Sequence, residues 1–409
     1  MKNGILLLFY LVGIFGFSGC RTAAEPDYGR ALPPGQMALR KIIDPAKIPD
    51  FTIACRDLNR LGEGIENSLN YLSKPSSRDF YPYGQITHEH AVTSLEAFAQ
   101  LIAVPMAPGQ LNQTIRQQFD VYTSVGWDNE GTVLYTGYYT PVFDGSEAQT
   151  GLFRYPLYKA PENLVKGRDG EVLGLQSGGG QFTLVPSRVD LPGSGLLTGQ
   201  ELVWLSDPFE VYIAQVQGSA KIRLPGGELV TAGYTATNGH PYHSIAKDLI
   251  DDGRIAREDL NLDRLIRFFK QNPGMIDQYV NRNPRFVFFD FFDAEPRGSL
   301  NEMVIPYRTI ATDKSIYPRA CLTLINTKLA HPTGYTISDS AYSGFALDQD
   351  SGGAIRAPGR CDVYMGQGKL AGRCAGQTYE AGRLYYLFLK QESASAFNTI
   401  PAPTESPVR

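Results

Sequence analysis

The sequence predicts a mainly β fold with a helical layer at its N-terminal end. Apolar residues between 58 and 119 recur at spacings of three and four, the helical period. From Val133 onward the chain turns to β-branched and aromatic runs separated by Gly and Pro, the composition of short strands and turns. The 409 residues are 43% apolar and 20% charged, which places the chain with ordinary globular proteins and gives it length for two or three domains. A net charge of −4 gives no reason to expect a nucleic-acid partner. With 23 Tyr and 21 Phe against 2 Trp, most aromatics go to core, and the Tyr excess is compatible with a sugar-stacking groove.

In chain order, Lys2 precedes an apolar run from Ile5 to Phe17, too short to span a membrane comfortably and fitting a signal peptide over residues 1–19. The run ends in Phe17-Ser18-Gly19-Cys20, which resembles a bacterial lipobox. That resemblance implies lipidation of Cys20 as the first mature residue, and Arg21 in place of Asp favours the outer membrane, facing the periplasm. Each buried acyl methylene adds about 0.8 kcal/mol to such an anchor. Residues 20–50, rich in Pro, Ala and charge, read as a tether. Export implies an oxidising compartment. Beyond Cys20 there remain Cys55, Cys321, Cys361 and Cys374, which allow three pairings. A Cys361–Cys374 bridge is the expectation. No CxxC spacing suggests zinc or thiol redox chemistry.

Leu58, Leu61, Ile65, Leu69 and Leu72 mark a first helix stopped by Pro75. A second runs from about His88 to Ile102 with Thr87 as N-cap, and a third from Leu111 to Phe119. Val133–Tyr139 reads as a strand. The Gly178-Gly179-Gly180 run reads as a flexible loop, because no Lys-Ser or Lys-Thr follows to make a phosphate loop. Glu210–Gln217 and Ala220–Leu224 read as strands, the latter turning at Pro225-Gly226-Gly227 into Glu228–Tyr234 as a hairpin. Helices follow over Ser244–Asp252, Leu260–Lys270 and from Pro273 to Asn281. Phe286–Phe292 returns to strand, and short strands and turns continue to Arg383–Leu389. Residues 391–409 read as a disordered tail.

The densest signal is residues 344–366, where Asp348, Asp350 and Asp362 surround Gly352-Gly353 between short buried strands at Phe345–Leu347 and Val363–Met365. Asp350-Ser351-Gly352-Gly353-Ala354-Ile355 and Asp362-Val363-Tyr364, with Asp313 upstream, resemble the three-aspartate domain. Tyr135-Thr136-Gly137-Tyr138-Tyr139-Thr140-Pro141, Val216-Gln217-Gly218-Ser219, Ala232-Gly233-Tyr234, Asn238-Gly239-His240 and Asn283-Pro284-Arg285-Phe286-Val287-Phe288-Phe289 follow in order. Together, over about residues 50–390, they resemble the membrane-bound lytic murein transglycosylase A family. The resemblance implies a double-psi β-barrel with helices (51–137 and 286–390), a second β-barrel inserted at 138–285, and a groove between the two.

It also implies a reaction. Lytic transglycosylases cleave the β-1,4 bond between N-acetylmuramic acid and N-acetylglucosamine in peptidoglycan. The substrate's own C6 hydroxyl closes a 1,6-anhydro ring, so one carboxyl can serve as acid and then as base, with no cofactor or metal. Asp362 matches the catalytic position, and its pKa must rise by burial or by a like-charged neighbour. Asp350 and Asp313 match the supporting members. Asp348 is expected outside the site. Tyr138, Thr140, Gln217, Ser219, Tyr234 and Asn238 sit in matched motifs as candidate glycan binders. His240 and His243 lack the acidic partner of a zinc motif and read as structural or groove-lining. A hydrolase of the same bond would need a second carboxylate opposite Asp362, with Asp350 or Asp313 the candidates. A wall-binding protein without catalysis would lack the acid.

Overall fold

The structure, a computed structural model, describes residues 26–167, 170–177, 180–293, 295–334 and 336–393. The signal segment, Cys20, Gly178, Gly179 and the tail from residue 394 lie outside the described residues.

The N-terminal part contains β1 (Leu39–Lys41), then α1 (Leu61–Ser73), α2 (His88–Ala103) and α3 (Pro108–Gln118), followed by β2 (Phe119–Ser124). These are the three expected helices. Thr87 caps α2 by accepting from the His90 N–H at 3.0 Å. Leu61, Ile65 and Leu72 of α1 and Leu95 and Phe98 of α2 pack into one core with the barrel described next.

Strand β3 (Val133–Thr140) begins the barrel and leads at once into the inserted region: β4 (Val142–Ser146), β5 (Tyr155–Tyr158), β6 (Leu164–Lys166), β7 (Val172–Gln176), β8 (Phe182–Thr183), β9 (Glu201–Leu205), α4 (Pro208–Gln217), β10 (Ser219–Arg223), β11 (Leu229–Thr237), α5 (Ile245–Asp251), α6 (Leu262–Gln271), α7 (Ile276–Val280) and β12 (Val287–Phe292). The chain then returns through β13 (Thr309–Ala311), β14 (Leu322–Thr333), β15 (Thr336–Asp350), β16 (Arg360–Gln367), α8 (Gly368–Gln377) and β17 (Tyr379–Leu389).

Strands β17, β14, β15, β13, β16 and β3 are neighbours in that order, and β3 pairs back onto β17, closing a six-stranded barrel. Two of its pairings, β13 with β15 and β16 with β3, are parallel. Closure removes the barrel's edges, and β1 and β2 extend the sheet outward from β17. The inserted region forms a second sheet in the order β12-β11-β10-β4-β9-β5, curved so that its edge strands β12 and β5 come together, with a small β6-β7-β8 sheet beside it. The fold is thus mainly β with helices, as expected.

Three expectations are corrected. Residues 210–217 are helical, not a strand. Asp207 caps the helix by accepting from the Phe209 N–H at 2.8 Å, Pro208 opens it, and Gly218 closes it at φ 77°. The strands around the aspartates are longer than Phe345–Leu347 and Val363–Met365: β15 extends through a long hairpin with β14, and β16 pairs along β3. Cys361 and Cys374 are both buried free thiols, as are Cys55 and Cys321. Cys361 faces into the barrel toward Tyr135, Tyr317 and Tyr386, whereas Cys374 lies on α8 against Tyr307, so the two sulfurs point to different places.

Candidate active site

Register places the carboxylates. In β13, Ala311 is the partner of Asp350 on one side and of Asp362 on the other. Asp362 is in turn the parallel partner of Thr136 on β3. Thr136, Asp362, Ala311 and Asp350 therefore form a row across four strands, and a bulge between Ile310 and Ala311 adjusts the strand between the acids. Strand spacing near 5 Å sets the Cα atoms of the two aspartates roughly 10 Å apart across the sheet. Both line a groove of about 730 Å³ between the barrel and the inserted sheet, a size in the range of ligand sites.

Asp362 is half-buried and accepts a hydrogen bond from Thr136 Oγ1 at 2.6 Å. Burial pushes its carboxyl above the ordinary range; the Thr136 hydroxyl and the Arg360 guanidinium pull it back, and the nearby Asp350 charge adds to the rise. Asp350, at the end of β15, accepts from the Tyr138 hydroxyl and from the Ser299 and Ser351 N–H groups, each at 2.7 Å. It too is raised, by burial, against those donors. The two acids therefore differ in duty. Asp350 is held by three donors as a fixed acceptor, while Asp362 has one and faces the groove.

Of the expected glycan binders, Tyr138, Gln217 and Tyr234 line the groove. Tyr138 stacks at a tilt on Tyr364, with ring centres 5.2 Å apart, and Tyr234 is 44% exposed and free to meet a ligand face. Gln217 accepts from the Tyr139 N–H at 3.1 Å, tying α4 to β3. The other expected residues stand behind the wall. Thr140 and Ser219 are buried against each other, 3.3 Å apart, with Thr140 also 2.9 Å from the Tyr364 hydroxyl. Asn238 is buried with its amide spent on the Pro186 and Pro284 carbonyls and the Phe286 N–H. Asp313 is buried off the groove. It accepts from Ser315 and from the Ala357 N–H, so it pins the loop that joins β15 to β16. Asp348, as expected, is away from the groove, bonded inside the barrel to Thr312, Lys314 and Tyr386. His240 lies 2.9 Å from the Val185 carbonyl, and His243 lies 2.9 Å from the Asp248 carboxylate.

Sequence reasoning missed Thr136, Gln215, Tyr242, Arg285 and Arg360 as groove residues. Thr136 and Arg285 lay inside quoted motifs, but only pairing across 226 residues shows that Thr136 meets Asp362. Arg360 sits two residues before Asp362 on the same strand, and the period of two places both on one face.

Known proteins are similar to this chain in sequence and in fold. The family described as "MltA specific insert domain" matches residues 134–290, and the 3D domain matches residues 308–388. The membrane-bound lytic murein transglycosylase A of Escherichia coli (strain K12) is 29% identical over 283 residues, covering 68% of this chain and 72% of that one. The Vibrio cholerae protein of the same name is 28% identical over 307 residues, covering 71% and 78%. Among solved structures, the lytic transglycosylase LtgG of Burkholderia pseudomallei superposes with a TM-score of 0.51 at 27% identity, over 89% of this chain and 100% of that one. E. coli MltA with bound chitohexaose does so with a TM-score of 0.62 at 24% identity, over 88% and 98%. An MltA-specific insert domain and a 3D domain are thus matched in order, with a groove between them that carries Asp350 and Asp362, and over about two thirds of its length the chain is similar to membrane-bound lytic murein transglycosylase A proteins.

Proposed function

We propose that this protein is a peptidoglycan lytic transglycosylase that cleaves the β-1,4 bond between N-acetylmuramic acid and N-acetylglucosamine, leaving 1,6-anhydro ends. The observation that carries the reading is Asp362: a half-buried carboxyl on the groove wall, raised by burial, with Thr136 as its hydrogen-bond donor. A raised acid holds the proton that the glycosidic oxygen needs in order to leave. Once ionised, the same group can take the proton of the C6 hydroxyl as that oxygen closes the ring. Asp350 is anchored by Tyr138, Ser299 and Ser351, and its charge helps keep Asp362 protonated. Tyr138, Gln217 and Tyr234 would meet the sugars.

Asp362→Asn keeps the shape and removes the exchangeable proton. Its rate of release of 1,6-anhydromuropeptides from purified sacculi should fall by about 10² to 10⁴ while sacculus binding survives. Near wild-type release would show that another group is the acid, and reducing ends in place of anhydro ends would show a hydrolase.

The same reading places the enzyme on the outer membrane through a lipid on Cys20. It rests on the short apolar run that ends in Ser18-Gly19-Cys20, and on the membrane-bound relatives. Among the described residues no helix is long and apolar enough to cross a membrane. Cys20→Ala should leave the outer-membrane fraction; unchanged fractionation would refute the anchor.

A further inference from the structure

The charges along the groove wall are unevenly matched. Lys166, Arg188, Arg285, Arg297, Arg356 and Arg360 all line it. Three of these cations are committed to backbone carbonyls. Lys166 donates to Thr235 at 2.9 Å, Arg297 to Asn301 at 2.7 Å, and the buried Arg188 to Asn283 at 3.0 Å and to Arg285.

The other three are not used up. Among the described residues the Arg285 guanidinium makes one long hydrogen bond, 3.5 Å to the His240 carbonyl. Arg360 reaches Thr136 at 3.5 Å, and its buried Nε has no hydrogen-bond partner among the described residues. Arg356 is mostly exposed and stands 3.6 Å from Asp313, a loose pair.

They also converge. Arg285 lies against Gly353 and feels the charge of Arg356, while Arg360 lies near both Tyr242 and Asp362. Like charges collected on one wall of a chain whose net charge is −4 repel one another, and a ligand anion would relieve that repulsion. A guanidinium with free donors is the side chain best shaped to take a carboxylate.

We propose that Arg285, Arg356 and Arg360 form a carboxylate-recognition edge of the groove, beside Asp362, that selects anionic glycan strands over neutral ones. The inference rests on the transglycosylase reading for the identity of the strand. In peptidoglycan the carboxylate has two sources: the lactyl arm of muramic acid, free once the peptide is removed, or the stem peptide attached to that arm. Either source offers the same group to the arginines.

The test measures binding, in the Asp362→Asn background so that strands are not consumed. The probes are peptide-bearing glycan strands, amidase-stripped strands with free lactyl carboxylates, and the neutral hexamer of N-acetylglucosamine. Arg356→Gln and Arg285→Gln should each weaken binding of an anionic probe by about tenfold or more, since hydrogen bonds to charged groups are the strong ones. Binding of the neutral hexamer should change less than about twofold, within the few tenths of a kcal/mol expected of a site left intact. Arg356→Lys should keep part of the affinity, and added salt should weaken the wild-type preference. A loss on stripped strands assigns the lactyl carboxylate; a loss confined to peptide-bearing strands assigns the stem peptide. An equal loss on the neutral hexamer would overturn the proposal by showing that the arginines only hold the loop, and no loss on either anionic probe would overturn it outright. Failure of the wild-type protein to cleave sacculi would instead sink the transglycosylase reading, and the binding comparison would still read out the arginines.

Discussion

On the proposed mechanism Asp362 holds a proton beside an open groove, and burial favours that state. The linkage has a definite sign. Because its folded pKa is raised, the folded chain binds that proton more tightly than the unfolded chain does. The stability this contributes is present below the ordinary carboxyl value, near 4, and is lost as pH rises through the folded value. Above that folded value the ionised group is a burden on the fold. Asp362→Asn should melt at or above wild type at pH 7, and the advantage should shrink toward pH 4, as checked by thermal melts across that range. The rate should follow the same proton, with kcat/KM falling as pH rises past the raised value. A variant that melts clearly lower at pH 7 would mean that the carboxylate serves the fold rather than the reaction. That Asp362 and Asp350 line one groove was legible in the sequence, because both lay in the matched motif. Asn238, Thr140 and Ser219 lay in equally good motifs but are buried, and a motif does not say which side of a wall its residues face.

Among the elements, β3 carries the most constraint. It runs parallel to β16, bears Thr136 and Tyr138, and lies under α8. Gly137 permits the contact: a Cβ there would stand 2.7 Å from the Ala375 Cα, a backbone atom that cannot swing away. Gly137→Ala should therefore cost roughly 1–3 kcal/mol of stability by overpacking, and it should lower activity by displacing Thr136 from Asp362. Denaturant unfolding and the sacculus assay check both, and a fully active, fully stable variant would show that α8 moves freely. The same contact explains why α8 escaped the sequence reading. Its inner face is Ala371, Gly372, Cys374 and Ala375, small because Tyr139 and β3 come so close, and small residues make no apolar period. Helix α4 was misread for the opposite reason. Val211, Tyr212, Ile213 and Val216 have strand propensities, while the end signals, Asp207-Pro208 and Gly218, point to helix and decided the outcome. Helices α1 to α3 were legible because apolar period and caps agreed.

At the scale of the whole molecule, the groove wall is only as firm as what stands behind it, and Gln349 shows the connection. It is the residue before Asp350, and the alternation of β15 sends it away from the groove while Asp350 faces in. Its amide, 1% exposed, donates to the Gly64 carbonyl at 2.7 Å and to Ser68 Oγ at 2.9 Å on α1, and it accepts from Thr309 Oγ1 at 3.0 Å on β13. Helix α1 approaches closely enough to receive it because Gly64 lacks a Cβ, which would fall 2.9 Å from a Leu347 methyl. A helix 285 residues distant in sequence thus holds the strand end from which Asp350 faces the groove. Gln349→Leu keeps the volume and leaves the Ser68 and Thr309 hydroxyls without this partner, at a cost of about 2 kcal/mol. If α1 positions Asp350, kcat should fall severalfold through the altered carboxylate, while the dissociation constant for glycan, set by residues on the groove face, should stay near wild type. A stability loss with unchanged kcat would confine Gln349 to the fold, and an equal loss of affinity would mean that the groove itself had opened.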